Sequence, residues 1–345
     1  MSMSQTLRLA SQRHNARIAR ILVRSSHVLV SADTVRDVDD PLADVLDLAR
    51  VRGALMASVR AGHPWGLELP QSPGASFHAV TSGLLWLRVE DRPPVQLSAG
   101  DVLLLPTGIA HELASTADGP TIPFDRALKR ERIGANGELL FDGGGATARI
   151  LCAAYDYDRD IAHPLLALLP DVLHLPADPV AGAKVAAILA LLAGEVGEHR
   201  PGARTGVARL IDLLLIQVVR WWIATGDDGR ASWLRALRDP MLATVLAALH
   251  ERPAEPWTVE RLAATAHVSR ATLARRFAEE VGEPPLAYLT RWRMDLAARR
   301  LRDGDEPVET IARSVGYTSE YAFNRAFSRH RGEPPGRFRR RVSVA

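Results

Sequence analysis

The chain has 345 residues, 47% of them hydrophobic and 24% charged, with a formal net charge of +3. Those totals exclude a disordered or fibrous chain and allow two or three domains of ordinary size. The single cysteine, Cys152, excludes an internal disulfide and suits a reducing compartment. Charge is unevenly spread: residues 251–345 hold 18 Arg against 13 Asp and Glu, a balance of +5, which leaves −2 for residues 1–250. A basic C-terminal quarter points to a polyanionic partner.

Residues 1–38 read as a basic extension, with Arg8, Arg13, Arg17, Arg20 and Arg24 but no apolar run of signal-peptide length, and disorder is expected there. Over 39–176 the apolar runs have strand length. "LLWLRV" (84–89), "VLLLP" (102–106) and "ARILCAAY" (148–155) are separated by "RPP", "AGD" and "DGGG" turns, which predicts a small β-sandwich or barrel. Over 177–230 the period turns helical. "KVAAILALLAGEV" (184–196) and "GVARLIDLLLIQVVRWWIAT" (206–225) place apolar residues at i, i+3, i+4 and i+7. Two amphipathic helices after a barrel either complete its core or form a dimer face. The run 210–224 is broken by Asp212, Gln217 and Arg220 and is too short to span a bilayer. A soluble, cytoplasmic protein without a membrane partner is expected. "TGDDGRAS" (225–232) is a polar linker, and residues 231–345 are helical to the end.

That last region contains a repeat. "GEPP" stands at 282–285 and again at 332–335. Upstream, Val259, Leu262, Ala263 and Ala266 match Val308, Ile311, Ala312 and Val315 at an offset of 49, while Phe277 and Gly282 match Phe327 and Gly332 at 50. The change of offset is one inserted residue, "HVS" against "GYTS". Each copy reads as helix, turn, helix. Ser269 and Ser319 are natural N-caps, and GEPP stops the second helix, since Gly suits the position after a C-terminus and Pro cannot continue the run. Leu273 and Phe277 face inward in the first copy, Phe323 and Phe327 in the second. Arg270, Ala271, Ala274 and Arg275, and then Glu320, Tyr321, Asn324, Arg325 and Ser328, point outward. Two tandem helix-turn-helix units in a basic region imply double-stranded DNA as partner. Residues 285–307 form a long connecting helix with an apolar stripe of Leu286, Leu289, Trp292, Leu296 and Leu301, and cationic Arg291, Arg293, Arg299, Arg300 and Arg302. A rigid helix would set the separation of two reading heads, and successive major grooves lie about 34 Å apart.

Residues 240–341 resemble the DNA-binding domain of the AraC/XylS family of bacterial transcription regulators. The resemblance rests on "RWRMDLAARRL" (291–301) and "IARSVGYTSEYAFNRAFSRHRGEPPGRFRR" (311–340). It implies a sequence-specific regulator, not an enzyme, whose second helices enter successive major grooves. Base-edge contacts then fall to Arg270, Thr272, Arg275 and Arg276 in the first unit, and to Ser319, Glu320, Asn324 and Arg325 in the second. Arg329, Arg331, Arg337, Arg339 and Arg340 are cast as phosphate contacts. A homodimer is expected, with RNA polymerase as a further partner if the protein activates.

"GDVLLLPTGIAHELAS" (100–115) resembles the second motif of the cupin barrel, with Ser115 where Asn is common, and "FHAVTSGLLWLRV" (77–89) occupies the place of the first. "DPLADVLDLARVRGAL" (40–55) resembles the start of the sensor domain in cupin-type AraC relatives. The fold class implied is α+β: a cupin-like, jelly-roll barrel, helices, and an all-α domain of two helix-turn-helix units. Such a barrel is a natural pocket for a small-molecule effector, with Trp65, Phe77, His78, Trp86 and His111 as lining candidates. His78 and His111, joined by Cys152, carry donor atoms suited to a transition metal. The readings are a catalytic metal, as in a cupin metalloenzyme with an appended DNA-binding domain, a structural or sensing metal, or two buried histidines and no metal. No acidic partner stands at the spacing of cupin metal enzymes, so no cofactor is assigned.

Overall fold

Short apolar runs cut by turns do fold as strands. The structure, a computed structural model, describes residues 40–130, 132–134, 138–157, 166–178, 182–197, 200–226 and 232–342. The expected basic extension, 1–38, and most of the expected linker, 227–231, lie outside them. Helix α1 (Pro41–Ala49) leads into β1 (Arg52–Gly62), β2 (Gly66–Leu69), β3 (Ala75–Ser82), β4 (Leu84–Arg88), β5 (Val95–Ser98), β6 (Val102–Leu105), β7 (His111–Ala114) and β8 (Ile122–Pro123). After α2 (Phe124–Arg130) come β9 (Arg132–Ile133), β10 (Leu139–Phe141), β11 (Thr147–Asp156) and β12 (Leu173–Leu175). They pair into a seven-stranded sheet, in the order β12-β6-β3-β11-β1-β10-β9, and a five-stranded sheet, β5-β4-β7-β2-β8.

The period of two along β3 and β11 sends alternate side chains to opposite faces. His78, Val80, Ile150 and Cys152 point into the barrel, where they meet Trp65, Leu67, Leu85, Leu103 and Leu113. Phe77, Ala79, Leu151, Ala153 and Tyr155 point out, into a second apolar layer. Helices α3 (Ala183–Gly197) and α4 (Ala203–Thr225) complete that layer with Val185, Ile188, Ile211, Leu214 and Val218. Asp212, which interrupts the apolar run of α4, accepts a hydrogen bond from the Gly53 amide at 2.8 Å, and the Tyr155 hydroxyl donates to the Ile211 carbonyl at 2.7 Å. Leu191 of α3 and Leu213 of α4 stay 59% and 41% exposed.

The same layer runs on into eight further helices: α5 (Trp233–Ala236), α6 (Pro240–Glu251), α7 (Val259–Thr265), α8 (Arg270–Val281), α9 (Pro285–Asp303), α10 (Val308–Ser314), α11 (Glu320–Arg331) and α12 (Pro335–Val342). Caps fall where the repeat predicts. The Ser269 hydroxyl accepts from the Thr272 amide at 3.1 Å, that of Ser319 from the Ala322 amide at 3.4 Å, and Gly282 and Gly332 close α8 and α11 with φ of 88° and 76°. The inserted residue follows a left-handed turn position shared by both copies, His267 at φ 55° and Gly316 at φ 86°. GEPP does more than stop a helix. Its second proline, Pro285 or Pro335, is the first residue of the next one, where a missing amide hydrogen costs nothing.

Helix α1 packs against this helical part. The buried His250 imidazole on α6 lies 3.2 Å through Nδ1 from the Asp44 carboxylate, 2.7 Å through Nε2 from the Tyr288 hydroxyl, and stacks 4.0 Å from the Trp292 ring. Arg50, just after α1, pairs with Asp303 at 2.5 Å.

A Cβ added at Gly53 would lie 2.3 Å from Ile211 Cγ2 and 2.8 Å from Tyr155 Cε1, so α4 and β1 meet at a point with no room for a methyl group. Gly53→Ala should therefore lower the denaturant midpoint by the equivalent of about 1–3 kcal/mol, as overpacked cores do. The slope of the transition should stay unchanged.

Candidate functional site

The two helix-turn-helix units present their second helices differently. On α8, Arg270 pairs with Glu260 at 2.9 Å, Arg275 with Glu279 at 2.8 Å, and Arg276 with Asp239 at 2.5 Å. Asp239 also caps α6 through the Met241 amide, so Arg276 is turned toward the scaffold. Thr272 is likewise engaged, its hydroxyl 2.9 Å from Ser269 Oγ. On α11 the cations are freer. Arg325 stacks over Tyr321, 5.8 Å from the ring centroid, and Tyr321 is 71% exposed. Among the described residues no carboxylate pairs with Arg325, Arg329 or Arg340. Glu320, Tyr321, Asn324, Arg325 and Ser328 form one wall of a hollow whose other wall is Pro334, Pro335 and Gly336.

Not every basic residue expected on the surface is there. Arg331 pairs with Asp295 of α9 at 2.5 Å, with both side chains largely buried. Burial pushes the Asp295 carboxyl up to about 7, although the Arg331 guanidinium beside it pulls the other way. Arg339 donates to the Glu306 carbonyl oxygen at 2.5 Å and is partly buried. Arg337 is exposed, 3.7 Å from Glu333. Along α9, Arg293 donates at 2.7 Å to the carbonyls of both Pro253 and Glu255, so it knits the scaffold together. Leu286, placed in the apolar stripe from its spacing, is 38% exposed instead.

In the barrel, the three metal candidates come together. His78 Nδ1 lies 3.2 Å from Cys152 Sγ and His78 Nε2 lies 2.8 Å from His111 Nε2, while His111 Nδ1 donates to the Ile109 carbonyl at 2.8 Å. The result is a chain of contacts in which His78 uses both ring nitrogens, so the donors meet pairwise and share no common point. Among the described residues no group of three His, Cys, Asp or Glu side chains is arranged to hold a metal ion, and the set does not fit one as it stands. Burial holds both imidazoles below their ordinary range, His78 further because His111 faces it. Burial pushes the Cys152 thiol up to about 12, so it stays protonated.

The other lining candidates disperse. Trp65 is packed inside the barrel, 6.4 Å from the Phe141 ring. Phe77 faces the helices, edge-on to Tyr155 at 6.1 Å. Trp86 is half-buried on β4, opposite Gln96 and Ala114. A cavity of about 770 Å³ instead opens beside the five-stranded sheet, reaching His111 and bounded by Glu68, Arg88, Glu112, Phe124 and Asp125. Sequence reasoning missed it. Alternation within β2 and β7 places Glu68 and Glu112 on outward faces, but only the register sets them opposite each other.

A cupin family model matches residues 40–224, and a helix-turn-helix domain model matches residues 262–341. An AraC-like transcription regulator of Streptomyces lividans is 39% identical, over 88% of this chain and 99% of its own. The transcriptional regulator AlkR of Acinetobacter baylyi is 30% identical, over 87% of this chain and 98% of its own. Among solved structures, the DNA-binding domain of the transcriptional factor AdpA, in complex with a target DNA, is 36% identical and covers 31% of this chain and 95% of its own, with a TM-score of 0.29. Among the described residues no helix is long and apolar enough to cross a membrane.

A pair of imidazoles held neutral by burial links folding to pH. In the unfolded chain each takes up a proton near pH 6.5, while in the fold each resists doing so, so stability is present above that value and is lost as pH falls below it. Between pH 8 and pH 5 the wild type should lose more stability than His78→Gln/His111→Gln. Urea melts at the two pH values measure the difference.

Proposed function

The chain belongs to the AraC-like transcription regulators, and from that premise we propose that it binds double-stranded DNA sequence-specifically, with α8 and α11 entering successive major grooves. The observation that carries this reading is the paired geometry. Two capped helices with cationic outer faces are joined by one connecting helix of 19 residues, about 28 Å long at 1.5 Å per residue. That length suits two heads meant for adjacent grooves on one side of the duplex. Base-edge contacts are assigned to Arg270, Thr272, Arg275 and Arg276 on α8, and to Ser319, Glu320, Asn324 and Arg325 at α11. For α8 this requires exchanging intramolecular ion pairs for DNA. Phosphate contacts are assigned to Arg329, Arg337 and Arg340, while Arg331 and Arg339 are assigned to holding α11 and α12 in place.

The division of labour proposed is sensor for 39–176, linking and dimer-forming helices for 177–230, and DNA binding for 231–345. In the homodimer reading, exposed Leu191 of α3 and Leu213 of α4 are the apolar groups that a second copy would cover. A cytoplasmic location, and contact with RNA polymerase where the protein activates, accompany the regulator reading. The chain is assigned no catalytic role. For an effector to regulate, it must favour one arrangement of sensor and reading heads over another. The packing of α1 on α6 and α9 supplies a physical connection between them.

Binding to DNA from the protein's own upstream region, against random DNA at two salt concentrations, tests the reading. Arg325→Ala should cost about 1–3 kcal/mol on the specific site and relax preference at one base pair. Arg337→Ala should weaken both DNAs alike and reduce the salt slope by about 1. Arg339→Ala should lower the melting temperature before it alters the salt slope. Identical behaviour of all three on specific and random DNA would contradict the assignment.

A further inference from the structure

The cleft beside the five-stranded sheet has an unbalanced charge. Glu112 on β7 stands between two cross-strand neighbours, Arg88 on β4 and Glu68 on β2. Both terminal nitrogens of Arg88 are engaged: one pairs with Glu112 at 2.5 Å and the other donates to the Gly119 carbonyl at 2.7 Å, while its buried Nε has no hydrogen-bond partner among the described residues. Glu68 is left facing a like charge across the ladder, an arrangement that destabilises a sheet, and it accepts only from the Thr121 hydroxyl at 3.0 Å. Among the described residues neither Glu68 nor Glu90 nor Asp125, which border the same cleft, pairs with a cation.

The remaining walls are carbon. Leu69, Val89, Pro123 and the Phe124 ring line the cleft together with the carboxylates. At about 770 Å³ it falls in the range that holds small organic ligands. A bare metal ion would need carboxylates converging on one point, and among the described residues no such group exists. An organic ammonium meets both demands: its charge offsets the opposed glutamates, its carbon body replaces water along the apolar walls, and an aromatic ring face attracts a cation.

We propose that this cleft is the binding site of an organic cation, an amine or quaternary ammonium with an apolar body, and that this cation is the effector. The assignment of effector rests on the regulator reading above. The signal has a route on the page. Residue His111 borders the cleft, its ring turned inward onto His78, which in turn contacts Cys152 on β11. The outer face of β11 carries the layer shared with α3 and α4. A ligand that shifts His111 therefore displaces the strand on which those helices rest.

The test uses the full-length protein and three molecules with one carbon skeleton: 4-phenylbutylammonium, 4-phenylbutanol and 4-phenylbutanoate. Titration calorimetry should show one ammonium per chain, bound about tenfold more tightly than the alcohol, with the carboxylate weakest. Glu68→Gln, and separately the exposed Asp125→Asn, should bring the ammonium's affinity toward that of the alcohol while leaving the melting temperature near the wild type's. Equal affinity for alcohol and ammonium, no binding of either, or ammonium binding untouched by both substitutions would each overturn the site. Affinity for the protein's own upstream DNA is measured with and without 4-phenylbutylammonium. Ammonium binding that leaves an established DNA affinity unchanged would overturn the effector role. Absence of specific DNA binding both with and without 4-phenylbutylammonium would instead be a failure of the regulator reading, seen in a separate assay.

Discussion

The organisation depends on one constraint: the central strands of the larger sheet are buried on both faces. An antiparallel sheet commonly keeps one face in water, which shows as clean alternation of apolar and polar residues. Over residues 75–80 of β3 and 150–155 of β11 neither face is wet. The inner face closes on the smaller sheet, and the outer one, with Phe77, Leu151 and Tyr155, must be covered by something else. Helices α3 and α4 meet that demand, and their fit is close enough that Gly53 has no space for a side chain. Because the covering layer continues into α5 and α6, the apolar cover of the barrel is also the footing of the helix-turn-helix units.

Within the helical part, buried polar groups settle which elements touch. His250 has a partner at each ring nitrogen, and a buried imidazole left with one alone would be costly. Arg293 reaches two carbonyls at the start of the first unit and packs near Tyr317 of the second, so one guanidinium holds both units to the connecting helix. The two units share a backbone plan yet differ in electrostatics. The first helix-turn-helix neutralises its outward arginines internally, while the second leaves several unpaired. Arg325 and Arg329 of the second are therefore open to a new partner without rupture of an ion pair, whereas Arg270, Arg275 and Arg276 of the first are not.

Much of this was legible in the sequence, and the limits have physical causes. Caps, turns and the tandem repeat are local features, read directly from Ser269, Ser319, Gly282 and Gly332. Strands were legible as apolar runs between turns. Facing was not: in "FHAV" every residue is compatible with burial, so nothing in the alternation distinguishes Phe77 outward from His78 inward. The roles of Arg276, Arg331 and Arg339 depend on Asp239, Asp295 and the Glu306 carbonyl, which approach only in three dimensions. Leu286 has the spacing of the stripe but, in the first turn of α9, is 38% exposed while its neighbours Pro285 and Tyr288 are buried. The cleft was illegible for a similar reason, since it is a product of register between β2 and β7.

Helix α1 has one more consequence. It is encoded at the opposite end of the described chain from α9, yet Asp44 and Arg50 serve His250 and Asp303. The helix-turn-helix region therefore draws two of its contacts from a helix encoded far outside it. A fragment starting at the C-terminal helices would leave His250 without Asp44 and Asp303 without Arg50, and a chimera with a foreign N-terminal domain would need a helix that supplies both. Exchange of N-terminal domains between relatives is thus constrained at the contacts Asp44–His250 and Arg50–Asp303.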